Sequence, residues 1–219
     1  MQKEIKIVLV DDNVLLRHGL AEVLAKSGLN VLFEADHGKD FISKIDPQQL
    51  PDVVLMDINM PEMDGFEATA WLTTNYPQVK TIALTMYDKE SSIIRIFNKG
   101  AKGYILKDAD PKELSFAIDY VLNGQLYFAQ KVMPTAENNY QHQFTPVPIM
   151  DQVTLDDEEL NYIRLASSEL SSREIAKEMN YDYQEADDCR ERVFNKLQVN
   201  NRVGLVLYAL KNGLIAATG

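Results

Sequence analysis

Five times between residues 5 and 123 a short apolar run rich in β-branched residues is followed by an amphipathic stretch of helical period, and few folds accept that alternation. The runs at 5–10, 30–35, 53–57, 80–85 and 103–106 read as strands. The first, third and fourth are almost unbroken in hydrophobicity, which predicts strands covered on both faces, as in a parallel sheet. Helices are expected over 14–27, 39–45, 66–75, 91–98 and 111–123, with Gly28, Gly100 and Gly124 as stops and Asp110-Pro111 as a start. The fold class is α/β: a doubly wound, five-stranded parallel sheet of order 2-1-3-4-5 over residues 1–125. In such a sheet the functional crevice lies beyond the carboxyl ends of the strands.

Past Gly124 the alternation decays. Residues 126–152 carry Pro134, Pro146 and Pro148 among asparagines and glutamines and read as a linker, partly extended by the prolines. Residues 153–219 return to a helical period, with helices expected over 155–166, 171–179, 183–197 and 201–212. Ser171 with Glu174 forms a capping-box signature, and Asp182 with Glu185 a second. A small all-α domain therefore follows. Cys189 is the only cysteine, which excludes an intrachain disulfide and a multi-cysteine zinc site. No apolar run approaches the ~20 residues that span a bilayer. The opening MQKEIKIVLVDDN lacks the apolar length and cleavage site of a signal peptide. The expectation is a cytoplasmic protein with no membrane partner.

Asp11 and Asp12 directly follow the first strand, Asp57 ends the third, Thr85 ends the fourth and Lys107 follows the fifth. With the order 2-1-3-4-5 these side chains converge on one sheet edge. Taken singly each is ordinary, since aspartates cap helices and lysines decorate strand tips. Together, three carboxylates in one cleft demand a counter-charge. Mg2+ suits them, because it takes oxygen ligands and keeps several waters. With Lys107 adding a second positive charge, one carboxylate can accept a phosphoryl group, and Asp57, deepest on the central strand, is the natural nucleophile.

These residues, with Asp57-Ile58-Asn59-Met60-Pro61-Glu62-Met63-Asp64-Gly65, Ala83-Leu84-Thr85 and Gly100-Ala101-Lys102-Gly103-Tyr104-Ile105-Leu106-Lys107, resemble the receiver domains of two-component response regulators. The fold is then flavodoxin-like. The resemblance implies that Asp57 takes phosphate from a sensor histidine kinase. It implies Mg2+ on Asp12, Asp57 and the Asn59 backbone carbonyl, with Asp11 acting largely through water. Thr85 would hydrogen-bond the phosphoryl group, Lys107 would pair with it, and Tyr104 would turn inward as Thr85 moves. Tyr87 is expected to overhang the pocket and to prolong the phosphorylated state by hindering water.

The C-terminal stretch resembles the helix-turn-helix of the LuxR/NarL/FixJ type, carried by residues 170–179, 193–199 and 202–214. The resemblance implies promoter DNA as a partner and a homodimer on phosphorylation. Val203, Leu207, Leu210 and Leu214 share one face of the last helix and are expected at that dimer contact. The reading helix departs from the family pattern, holding Glu185-Ala186-Asp187-Asp188-Cys189 at its start. The chain has 22 Lys and Arg against 33 Asp and Glu, a net charge of −11, which disfavours non-specific nucleic-acid binding. A basic patch survives later: Arg190, Arg192, Lys196 and Arg202 are expected on phosphates, with Gln184 and Asp187 toward base edges. The resulting expectation is a phosphorylation-controlled DNA-binding regulator and not an enzyme, since Asp57-Ile58-Asn59 has no second carboxylate two residues on. The alternative is a receiver-controlled protein-interaction module with weak or no DNA binding, motivated by the acidic reading helix.

Overall fold

Strands β1 (Lys6–Val10), β2 (Asn30–Ala35), β3 (Val53–Asp57), β4 (Lys80–Thr85), β5 (Gly103–Leu106) and β6 (Tyr127–Phe128) form one parallel sheet in the order β2-β1-β3-β4-β5-β6. They belong to the first of the two compact units into which this computed structural model divides; residues 4–86, 89–128 and 153–216 are described. Tyr87 and most of the expected linker, residues 129–152, lie outside the described residues. The sheet corrects the five-strand expectation and its boundary at residue 125. Tyr127 and Phe128 are too few to show a period of two, and their place comes from tertiary pairing: Gly103 faces Tyr127 and Tyr104 faces Phe128 across the ladder.

Val8, Val10, Val54 and Met56 are completely buried, as unbroken apolar runs in a two-sided parallel sheet must be. Helices α1 (Val14–Lys26), α2 (Gly38–Lys44), α3 (Gly65–Asn75), α4 (Glu90–Asn98) and α5 (Pro111–Leu122) connect the strands. Their starts follow from local chemistry. Asn13, Asp64 and Asp110 accept the N–H groups of Leu16, Glu67 and Lys112, and Pro111 occupies the first helical turn of α5. Asn13 follows the paired aspartates directly, so α1 begins at the sheet edge that carries them.

The second unit contains α6 (Asp157–Ala166), α7 (Ser172–Glu178), α8 (Tyr183–Leu197) and α9 (Arg202–Lys211). Both expected capping boxes form, and a third, Asp156 with Glu159, sets α6 two residues later than its periodicity predicts. Gln198 at φ +53° ends α8 in the left-handed conformation. Ile175 and Met179 pack with Val193 and Leu197, which joins α7 to α8. Cys189 is fully buried in the same cluster, and burial, helped by the Glu158 carboxylate, pushes its thiol up to about 11, so it behaves as a packing residue. Of the stripe expected on α9, Val203 and Leu207 are 6 % exposed each, while Leu210 and Leu214 are partly exposed.

Candidate functional site

Parallel register carries the candidate residues to one edge. Val10 faces Met56, Asp57 faces Leu84 and Thr85 faces Leu106, so the loops after β1, β3, β4 and β5 leave the sheet side by side. Backbone bonds continue the alignment past the strand ends: Ile58 N–H donates to Leu84 O at 3.3 Å and Lys107 N–H to Thr85 O at 2.7 Å. Between β3 and α3 the chain doubles back tightly. Gly65 N–H donates to Ile58 O at 2.9 Å, and a Cβ on residue 65 would lie 2.1 Å from Asp57 O, so only glycine fits. Glu62, at φ +61°, makes the turn in that loop.

At the edge, Lys107 Nζ lies 2.8 Å from Asp11 Oδ2 and 2.9 Å from Asp57 Oδ2, with all three side chains almost buried. Ligand oxygens of Asp11, Asp12 and Asp57 come within 4.8 Å of one another; Asp12 is the exposed member. Burial raises the Asp57 carboxyl above the usual range, only partly offset by the Lys107 ammonium and worsened by the neighbouring Asp11 charge. For Lys107 burial acts to lower the pKa, but the two carboxylates together outweigh it and raise the ammonium above its ordinary value. Asn59 N–H sits 3.4 Å from Asp57 Oδ1, which brings the Asn59 backbone to the pocket. Thr85 is 2 % exposed at the end of β4. Tyr104, mid-strand in β5, has no exposed surface, and its ring packs 5.8 Å from that of Phe128.

The donor set fits a hard divalent cation. Asp11 Oδ2 is in ion-pair contact with Lys107 but has no donor aligned on it, and it is one of two buried side-chain oxygens without a hydrogen-bond partner among the described residues. Three carboxylates against one ammonium leave two negative charges uncompensated, the charge of one Mg2+.

Sequence reasoning missed Arg17. This α1 side chain is 7 % exposed and donates to the Asp11 carbonyl and to Glu34 Oε2 at 2.9 Å, with Asp36 Oδ1 at 2.7 Å. A lone cation four residues past the capping Asn13 was the available signal, and solvated surface is its ordinary meaning.

In the helical unit the expected phosphate-contacting cations are already engaged. Arg190 pairs with Asp187 at 2.9 Å and lies over the Phe194 ring; Arg192 pairs with Glu158; Lys196 reaches Glu159 Oε2 at 2.7 Å. Arg202 has a different task from the one expected. It is half-buried and donates to the carbonyls of Ala166, Ser168 and Leu170 at 2.6, 2.9 and 2.7 Å, a clamp on the end of α6 and the turn into α7. Gln184 bonds Asp188 at 2.9 Å, and Glu185 is spent on its capping box. Counting charges along the sequence could not show these partners, which lie up to 37 residues away.

The sequence pattern of the response regulator receiver domain matches residues 7–119. Transcriptional regulatory protein DegU of Brevibacillus brevis is 29% identical across 98% of this chain and 96% of its own length. Response regulator GacA of Pseudomonas aeruginosa is 31% identical across 97% and 99%. Among solved structures, response regulator ChrA of a heme-sensing two-component system aligns over 97% of this chain and 99% of its own, at 28% identity and a TM-score of 0.51. With the aspartate pocket at the sheet edge and full-length relatives of this kind, the chain belongs to the response regulators of the LuxR/NarL type.

Proposed function

We propose that Asp57 accepts a phosphoryl group from a phosphohistidine of a sensor histidine kinase and that this controls promoter-DNA binding by the helical unit, with the chain acting as a regulator and not as a turnover catalyst. The observation that carries the first half is the Lys107 ammonium held between Asp11 and Asp57 at 2.8 and 2.9 Å. An Asp57 carboxylate oxygen attacks phosphorus, the P–N bond breaks, and the imidazole nitrogen keeps the electron pair and takes up a proton. Lys107 offsets charge on the transferred oxygens, and Thr85 donates its hydroxyl to one of them. Asp12, Asp57 and the Asn59 backbone carbonyl would hold Mg2+, with Asp11 acting through water; the ion supplies charge neutralisation.

The DNA half is supported by the likeness to DegU, named a transcriptional regulatory protein and matched over 96% of its length, and by the packing of α7 against α8. The interaction-module alternative has no such support. Among the described residues no helix is long and apolar enough to cross a membrane, which fits a regulator acting in the cytoplasm.

Two measurements test this reading. Intact mass after incubation with acetyl phosphate and Mg2+ is expected to rise by one phosphoryl group in the wild type and not in Asp57→Asn. Fragments of the source genome retained by the phosphorylated chain are expected to share a two-fold-related sequence. Equal retention of random fragments sinks the DNA half, and an unchanged mass sinks the first.

A further inference from the structure

We propose that Arg17 is a positioning residue for the acidic pocket: its guanidinium holds the Asp11 carbonyl and thereby aims the Asp11 carboxylate at Lys107 and Asp57. The inference rests on the pocket being a Mg2+ and phosphoryl site.

Arginine is almost never this buried unless each of its donors is used. Here the side chain leaves the first turn of α1 and turns back to the sheet edge. Its Nη1 donates to the Asp11 carbonyl, its Nε to Glu34 Oε2 and its Nη2 faces Asp36 Oδ1. Asp11 is thereby fixed at every polar atom but one. Its N–H donates to Ala35 O at 3.1 Å, its Oδ1 accepts from Asn13 N–H at 2.9 Å, and its carbonyl is taken by Arg17. The remaining atom is Oδ2, the buried oxygen without an aligned donor, which is turned to Lys107.

Charge is not what Arg17 adds to the pocket. Two carboxylates already oppose the guanidinium, so its field at Asp57 is largely cancelled. What it adds is geometry. The planar fork bridges the end of β1 to the end of β2, and without it the Asp11 peptide is free to rotate toward water and carry the carboxylate out of register. Hydrogen bonds that orient the carboxylates around a metal commonly govern its affinity in this way.

The test uses the full chain, with Mg2+ alone as the probe, titrated by calorimetry and followed by thermal unfolding. Arg17→Met is expected to raise the Mg2+ Kd about tenfold, and the Mg2+ needed for half-maximal phosphorylation by acetyl phosphate rises with it. Glu34→Gln with Asp36→Asn removes the ion pairs but leaves the Asp11 carbonyl contact, so its Kd stays within about twofold of the wild type even where its melting temperature falls as far as that of Arg17→Met. Arg17→Lys keeps the charge and loses the fork; it serves if Arg17→Met does not fold, and a weakened Mg2+ site is expected there too. A wild-type Kd in either Arg17 variant overturns the proposal. So does an equal loss in the Glu34/Asp36 variant, which assigns the effect to charge. A wild-type chain that binds no Mg2+ is a separate result, seen before any variant is made, and refutes the pocket reading instead.

Discussion

The ring of Tyr104 lies 5.8 Å from the ring of Phe128 at an angle of 32°, and the two residues are directly paired across β5 and β6. Any rearrangement of Tyr104 on phosphorylation is therefore felt by the last strand of the sheet. Phe128→Ala is expected to cost roughly 1–2 kcal/mol, below the range for a fully buried phenylalanine because Phe128 is only partly covered. Denaturant unfolding of the receiver measures it. A larger near-UV spectral change on phosphorylation in the variant than in the wild type would show that Phe128 restrains Tyr104.

The raised Asp57 pKa has a definite sign in stability. The unfolded carboxyl ionises near pH 4 while the folded one still holds its proton, so the folded state binds more protons and stability falls as pH climbs from about 4 through the folded value. Asp57→Asn removes the group and should flatten that fall. Without divalent cations the variant is expected to be the more stable protein at neutral pH. Denaturant midpoints of both proteins between pH 4 and 8 decide the matter, and parallel curves would refute it.

Gly65→Ala should damage the site while leaving the helix it starts well capped, since Asp64 still accepts from Glu67 N–H. The added methyl meets the Asp57 carbonyl at 2.1 Å, so the loop must move away from Asp57. Phosphorylation by acetyl phosphate is expected to slow at least about tenfold, in line with the cost of misplacing a reacting group by an ångström. A rate equal to the wild type would mean that the loop position is not critical.

Arg192 is held by Glu158 and is 53 % exposed, so DNA phosphates compete with a carboxylate for it. Glu158→Gln should release the guanidinium, strengthening binding to duplex DNA and steepening the log-log salt dependence by about 0.9 for one added phosphate contact. Fluorescence anisotropy across a salt series reads both. An unchanged slope would place Arg192 away from the DNA.

Much of the receiver was legible because buried parallel strands write themselves as apolar runs, and because Asp11, Asp57, Thr85 and Lys107 each stand at a strand end whose place follows from the sheet order. β6 was not legible: Tyr127 and Phe128 are a strand only because β5 offers an edge, and no two-residue pattern shows that. Arg17 escaped for a related reason. Its three acceptors belong to the ends of β1 and β2, which become neighbours only after folding. In the helical unit the capping boxes were readable as short-range chemistry, whereas Glu158 and Glu159, which occupy Arg192 and Lys196, sit on another helix.

The three carbonyls gripped by Arg202 belong to residues 166, 168 and 170, the corner where one helix ends and the next is prepared. A corner tied off by a cation from α9 resists bending, because each degree of hinge motion would strip a donor from an oxygen that has no other helical partner. The α6–α7 corner and the start of α9 therefore move as one piece, in the manner of a stamp and not of a hand that opens.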